Sequence, residues 1–356
     1  MTFGTMARQL PALWQDARLR RQLLNGLGML AGVGAGVAGY AFFHEPLRVR
    51  MDRLTIVLPA AAGRLPRAGL RILHLSDTHF WGNEWREQAK IDSIRRACAG
   101  LEYDLLIHTG DFLHDDEGLP NVLALLDCLP RPRLGAYAVL GNHDYTRYSH
   151  RALLTRSWAR FRNLDSLSAE PRSLFARATM LARFCYYFAN VPFDMKRTGR
   201  NNINALEAAL AARDVQLLRN RHVRLCHAPG NPAQAVDLYI VGVDDFVEGT
   251  PALRHALSEV PADAPTLLLS HNPDILLEPD IERVDLVLAG HTHGGQVVLP
   301  WVGAAHTQSQ ILCRSEVSGY LRRGKTQVYI TRGIGEGIPI RLGAAPQVTL
   351  LTLLGG

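Results

Sequence analysis

Five short apolar runs in this 356-residue chain each end in a cluster of Asp, His or Asn, and no other feature restricts the fold as much. Leu70–Leu75 leads into Asp77-Thr78-His79, Asp104–His108 into Gly110-Asp111, and Ala136–Leu140 into Gly141-Asn142-His143-Asp144. Further on, Thr266–Leu269 leads into Ser270-His271-Asn272-Pro273, and Val284–Leu288 into Gly290-His291-Thr292-His293-Gly294-Gly295-Gln296. Short β-branched or Leu-rich runs bounded by Gly, Pro or Asp read as strands. Polar residues at the carboxyl ends of neighbouring strands collect along one sheet edge, where α/β proteins place their sites.

The remaining pattern sets the fold class. Glu84–Ala99 and Asn121–Cys128 read as helices between the early strands, and Leu238–Val243, Gln327–Ile330 and Val348–Leu353 as later strands. Early α/β alternation followed by a strand-rich second half gives an α/β chain of two stacked sheets flanked by helices. The five cysteines (Cys98, Cys128, Cys185, Cys226 and Cys313) are scattered and form no C-x-x-C pair. That excludes a disulfide framework and a zinc-thiolate site, and favours a reducing compartment.

Asp, His and Asn at strand ends suit phosphoester hydrolysis. The reaction needs the phosphoryl oxygens neutralised and a nucleophile made from water, which two divalent cations about 3.5–4 Å apart accomplish. A bridging carboxylate holds such a pair, and imidazole and carboxamide complete shells suited to Mn, Zn or Fe. A lone Asp-x-His is usually a surface loop and a lone Gly-Asp a turn; five such pieces in this order are not.

The set resembles the calcineurin-like metallophosphoesterase superfamily over roughly residues 70–353, with one interruption. The resemblance implies a four-layer sandwich of two mixed sheets and two divalent metals, Mn foremost with Zn, Fe or Co as alternatives. It implies that Asp77, His79, Asp111 and His293 bind one metal, and that Asp111 (bridging), Asn142, His271 and His291 bind the other. His143 would stand by the leaving-group oxygen as acid or charge stabiliser, with Asp144 orienting it. Arg332 in Arg332-Gly333-Ile334-Gly335 follows a strand and is a candidate phosphate contact, ranked ahead of His306. His74 and His108 lie within strands and read as sheet residues.

Outside the catalytic motifs, Leu23 to Phe43 carries no charge over 21 positions and is flanked by arginines. At about 1.5 Å per residue it reaches roughly 30 Å, the thickness of a bilayer's hydrocarbon core. The expected organisation is a basic segment over 1–22, a transmembrane anchor over 23–43, a linker over 44–69 and a catalytic domain over 70–356. Loop arginines lean towards a cytoplasmic catalytic domain on the bacterial inner membrane. The alternative is export, since Arg20-Arg21-Gln22-Leu23-Leu24 is similar to a twin-arginine signal.

Net charge is +6, and residues 145–200 hold eleven Lys/Arg against three Asp/Glu, so the remainder is slightly acidic. Leu174, Leu181, Phe184, Phe188 and Val191, with Arg172, Arg177 and Arg183 between them, read as a basic amphipathic helix. It is either a lid touching anionic lipid or a helical hairpin over the core; nucleic acid is not expected, because no recognition fold accompanies the charge. Anchor and motifs resemble bacterial membrane-associated phosphoesterases that include a UDP-2,3-diacylglucosamine pyrophosphatase. The implied substrate is an amphiphilic phosphoester, cleaved to UMP and diacylglucosamine 1-phosphate. The rivals are an exported broad-specificity phosphodiesterase and a non-catalytic membrane-bound interaction protein.

Overall fold

The computed structural model describes residues 17–82, 84–164, 173–190, 195–228, 230 and 234–356. An N-terminal helix α1 (Ala17–Gly39) precedes strand β1 (Arg50–Leu58). Then follow β2 (Leu70–Leu75), α2 (Glu84–Cys98), β3 (Leu105–Thr109), α3 (Leu119–Cys128) and β4 (Gly135–Val139). An insert contributes β5 (Thr146–Ser149), α4 (His150–Leu164), α5 (Leu174–Asn190) and β6 (Lys196–Arg200). After α6 (Ile203–Ala211) come β7 (Val215–Leu217), β8 (Arg221–His227), β9 (Val236–Gly242), β10 (Thr266–Leu269) and β11 (Leu286–Ala289). The chain finishes with β12 (Val298–Leu299), β13 (Gly303–Ala304), β14 (Gly319–Arg323), β15 (Thr326–Ile330) and β16 (Gln347–Gly355).

Two six-stranded sheets result, ordered β1-β16-β2-β3-β4-β7 and β14-β15-β11-β10-β9-β8. Strand alternation explains how they stack. On β2, Leu70 and Ile72 point to the inter-sheet core with Ile107, Tyr137, Ile240, Leu267 and Leu286. Leu73 and Leu75 of the same strand point the other way, against Ile91 and Ile94 of α2, Val122 and Leu125 of α3, and Leu206 of α6. The outer face of the second sheet is covered by Leu253, Leu257 and Ile275. The protein is thus a layered mixed α/β sandwich. Because β2, β3 and β4 run parallel, as do β9, β10, β11 and β15, the polar strand ends emerge on common edges.

Three sequence expectations change. The segment 44–69 is not only a linker, since β1 pairs in parallel with β16 from Arg50–Gln347 to Leu58–Gly355. Only Ile56 and Leu58 of this edge strand are buried, and the half-buried Asp52 and exposed Arg53 hide the alternation. The expected membrane-spanning segment is helical, but among the described residues no helix is long and apolar enough to cross a membrane. The helix begins at Ala17, so it takes in Arg18, Arg20 and Arg21, and six glycines dilute its apolar side chains.

The insert is a helical hairpin rather than a single amphipathic helix. Trp158 of α4 meets Phe184 of α5 edge-on at 4.8 Å between ring centroids, and Phe161 packs on Phe184 and Tyr187. Antiparallel pairing of β5 with β6 closes its base. Leu181 and Tyr186 of α5 stay exposed, while Arg172 and Val191 lie outside the described residues.

Candidate metal centre

The strand-end residues are turned inward by an unusual backbone. Asp77, His79, Asp111, His291 and His293 all have left-handed backbone, with φ of 53°, 46°, 55°, 70° and 52°. A side chain crowds its own carbonyl there, at a cost of order 1–3 kcal/mol per residue, and such residues concentrate at functional sites. Main-chain bonds hold the conformation, from Asp77 N–H to the Gly110 carbonyl at 2.9 Å and from His79 N–H to the Asp111 carbonyl at 3.0 Å. Two glycines make the approach possible. A Cβ on Gly141 would stand 2.2 Å from Asp111 Oδ1, and one on Gly290 2.2 Å from Asp77 Oδ2.

Among the described residues the donors gather into Asp77–His79–His293 and Asp111–His271–His291, with ligand atoms in each within 4.8 Å of one another, and a third such group, His79–His114–His143, shares His79 with the first. Asp111 links the groups. Its Oδ2 lies 3.2 Å from Nε2 of both His79 and His271, while its Oδ1 accepts from the His143 N–H at 2.8 Å. His271 donates Nδ1–H to the Thr109 carbonyl at 2.8 Å, which turns Nε2 towards Asp111. Asp77 accepts the His291 N–H, and its Oδ1 stands 3.7 Å from His293 Nε2 and 3.8 Å from His79 Nε2.

These atoms fit cations. Asp111 Oδ2, both ring nitrogens of His79 and Oδ1 of Asn142 are buried with no hydrogen-bond partner among the described residues. Burial without a partner is costly, and convergence of carboxylate, imidazole and carboxamide lone pairs is what a divalent ion satisfies. Charge points the same way. Burial opposes a proton on His79 and His271, but Asp111 outweighs it and raises them to about 9 and about 10. Burial pushes His291 down to about 4 and His293 well below its ordinary range. Asp111, although buried, is held well below the usual carboxylate range by the histidines around it.

The geometry has counterparts in known proteins. The profile of the Calcineurin-like phosphoesterase family matches residues 70–295, well over half of the chain. The chain belongs to the calcineurin-like phosphoesterase family. It is 30% identical to the UDP-2,3-diacylglucosamine pyrophosphatase LpxG of Chlamydia trachomatis serovar D, over 87% of this chain and 91% of that one. The LpxG of Chlamydia muridarum is 29% identical with the same coverage. An uncharacterized metallophosphoesterase of Bacillus subtilis, YkuE, is 26% identical over 94% of this chain and 97% of that one. This phosphoesterase is therefore a metal-dependent hydrolase, and the His and Asp groups described above are candidates to hold the metal.

Two residues of the phosphoesterase stand otherwise than expected. Asp144 accepts main-chain N–H bonds from Asp111 and Gly141 at 2.9 Å and from Leu113 at 3.0 Å, so it ties two strand ends together. Burial, with the charge of Asp111 beside it, pushes its carboxyl up to about 7. The Arg332 side chain is engaged elsewhere, pairing with Asp52 at 3.0 Å and donating to the Ala345 carbonyl at 3.0 Å. It fastens β1 to the loop after β15. His306, ranked lower from sequence, lines the cleft with Asn142, His143 and His291.

Other residues near the site stand out only in the structure. Arg341 is fully buried, and its guanidinium reaches the carbonyl and Nδ1 of His293 at 3.3 and 3.4 Å. His114 and Tyr148 place their rings 4.9 and 4.7 Å from that of His143. His114 follows Asp111 by three residues, which is the one cue that could have found it. His74 and His108 are core residues as read: His74 bonds Thr109, and His108 stacks on Phe112 at 3.6 Å.

Proposed function

We propose that this phosphoesterase hydrolyses the diphosphate of an amphiphilic nucleotide sugar, UDP-2,3-diacylglucosamine being the leading candidate, to UMP and a diacylglucosamine 1-phosphate. The observation that carries the reading is a cleft of about 850 Å³ opening at Asn142, His143 and His291. Its walls combine apolar Met195, Phe246 and Val247 with cationic Arg197 and Arg314. A lipid-linked diphosphate requires both surfaces, and similarity to the two chlamydial pyrophosphatases along nearly the whole chain supports the choice.

Asp77, His79 and His293 would hold one cation and Asn142, His271 and His291 the other, with Asp111 between them; manganese suits this donor set. Two divalent cations there supply neutralisation of the phosphoryl oxygens and a water acidic enough to react near neutral pH. The chain's own residues do the rest. His271 is held in one tautomer by the Thr109 carbonyl. His143, edge-on to His79 at 4.5 Å and at the cleft, is placed to give a proton to the departing phosphate oxygen. Asn201 donates to the His143 carbonyl at 2.8 Å and steadies that residue. Asp144 fixes the loops that carry Asp111 and Asn142.

The same reading places the catalytic body on the cytoplasmic side of the bacterial inner membrane, where nucleotide sugars are made. α1 and the exposed Leu181 and Tyr186 of the insert would face lipid. The test is metal-dependent UMP release from UDP-2,3-diacylglucosamine by detergent-solubilised protein, beside hydrolysis of bis-p-nitrophenyl phosphate. Release well above the Asp111→Ala background is expected. Cleavage of the small diester alone would replace this reading with a broad-specificity phosphodiesterase.

A further inference from the structure

We propose that the tip of the β12–β13 hairpin, Leu299-Pro300-Trp301-Val302, inserts into the surface of an anionic phospholipid bilayer beside the mouth of the cleft. All four residues are exposed, and Trp301 is 102% accessible. Trp301 adopts a left-handed backbone, φ 62°, while carrying the largest of side chains. A bulky residue in that region is a genuine outlier, so the hairpin spends free energy to present an indole to the outside. Indole, apolar with one N–H, is the group that settles at membrane–water interfaces.

The position of the hairpin argues for lipid. Val298 N–H donates to the Leu342 carbonyl at 2.7 Å, so the hairpin sits on the segment Ile338–Gly343. The root of α1 sits on the same segment, through Arg341 N–H to the Ala41 carbonyl at 2.9 Å and Gly343 N–H to Glu45 Oε2 at 3.0 Å. Beyond that root, Phe43, Tyr40, Val37, Val33 and Met29 are exposed in turn. Two apolar elements therefore leave one base, and soluble surfaces seldom leave that much apolar area uncovered.

Charge selects the kind of partner. Neither Ala17–His44 nor Gln296–Ser315 contains a carboxylate, while Arg18, Arg20, Arg21 and Arg314 lie within them. Gly303 at the hairpin's far side has Arg314 Cβ 3.5 Å from where its own Cβ would be. Apolar tips without acidic residues, with Arg314 beside the hairpin and Arg18, Arg20 and Arg21 at the far end of α1, match an anionic bilayer surface. From β13 the chain continues as Ala305–Gln310, a wall of the cleft. A helix alone leaves the body free to rotate about its root; the hairpin is the second contact that fixes the cleft towards the lipid. The inference rests on the amphiphilic-substrate reading for its purpose, but its test does not involve turnover of that substrate.

The experiment uses the full chain with vesicles of phosphatidylethanolamine and phosphatidylglycerol. Brominated lipid should quench a component of the tryptophan fluorescence that Trp301→Phe removes. Trp301→Asp and Val302→Asp should each lower vesicle partitioning on the order of tenfold, with hydrolysis of bis-p-nitrophenyl phosphate in the absence of vesicles unchanged. Equal lipid quenching in wild type and Trp301→Phe, or unchanged partitioning of both aspartate variants, would overturn the proposal. So would a Trp301-dependent dimer mass without vesicles, which would assign the tip to a second copy of the chain. Intact partitioning with no UMP release would overturn the substrate reading and leave the hairpin contact standing.

Discussion

At the metal centre Asp77, His79, Asp111, His271 and His293 are almost wholly withdrawn from solvent, whereas Leu181 and Tyr186 of the insert and Trp301 of the hairpin stand largely exposed. The first region is fixed from within. Each carboxylate has named donors, two glycines make room for the carboxylates, and the left-handed turns persist because surrounding bonds over-determine them. The second region presents large side chains to solvent, Leu181, Tyr186 and Trp301 among them. The candidate chemistry thus lies with groups whose positions the fold dictates, while the proposed lipid contacts fall to exposed groups.

The sharpest way to break this contrast is to remove its centre. Asp111→Ala takes away the carboxylate linking the two ligand groups and should lower hydrolysis of any diester by at least about a hundredfold; activity within a few-fold of wild type would show that Asp111 is not a bridge. Gly141→Ala should be nearly as severe without removing any donor. Its Cβ would stand 2.2 Å from Asp111 Oδ1, and the expected loss is about tenfold to a hundredfold in metal affinity, read by isothermal titration.

Protons sharpen the same comparison. His79 and His271 are raised to about 9 and about 10 in the metal-free protein, so near pH 7 both carry protons that a cation must displace. His291 and His293, pushed down by burial, are already neutral. Metal binding near pH 7 should therefore release about two protons, and affinity should rise with pH by about tenfold per unit for each proton displaced. Calorimetry in buffers of different ionisation enthalpy measures the count; no release would mean that the two imidazoles are neutral beforehand. The metal-free chain shows the opposite trend. Stability gained from the two raised histidines is complete below their unfolded value of about 6.5 and is lost as pH climbs through 9 and 10.

The smallest effect is expected at Arg332. Arg332→Ala breaks its bonds to Asp52 and Ala345 and should cost on the order of 1 kcal/mol of stability, with KM for bis-p-nitrophenyl phosphate unchanged. A large rise in KM with stability intact would return Arg332 to the substrate.

The boundary between what was legible in sequence and what was not follows the same division. The strand ends stood out because each follows a short apolar run, and the resemblance to the calcineurin-like superfamily then assigned Asp77, His79, Asp111, Asn142, His271, His291 and His293 to metals. Arg341 could not be named, because it lies in an irregular segment and reaches His293 only through the fold. The part played by Asp144 was hidden for a related reason: its partners are main-chain N–H groups, which leave no trace in residue identity. β1 was missed because an edge strand buries little. The charge-free stretch of 21 residues counts glycines as apolar length, although they add almost no hydropathy, and among the described residues no helix is long and apolar enough to cross a membrane.

The central claim is that Asp111 joins two separate cation sites, and counting the ions tests it most directly. Elemental analysis of the purified chain after equilibration with manganese should give two ions per chain, falling to one or none in Asp111→Ala with the fold intact by circular dichroism. A single ion in the wild-type protein, or two retained in Asp111→Ala, would contradict the account.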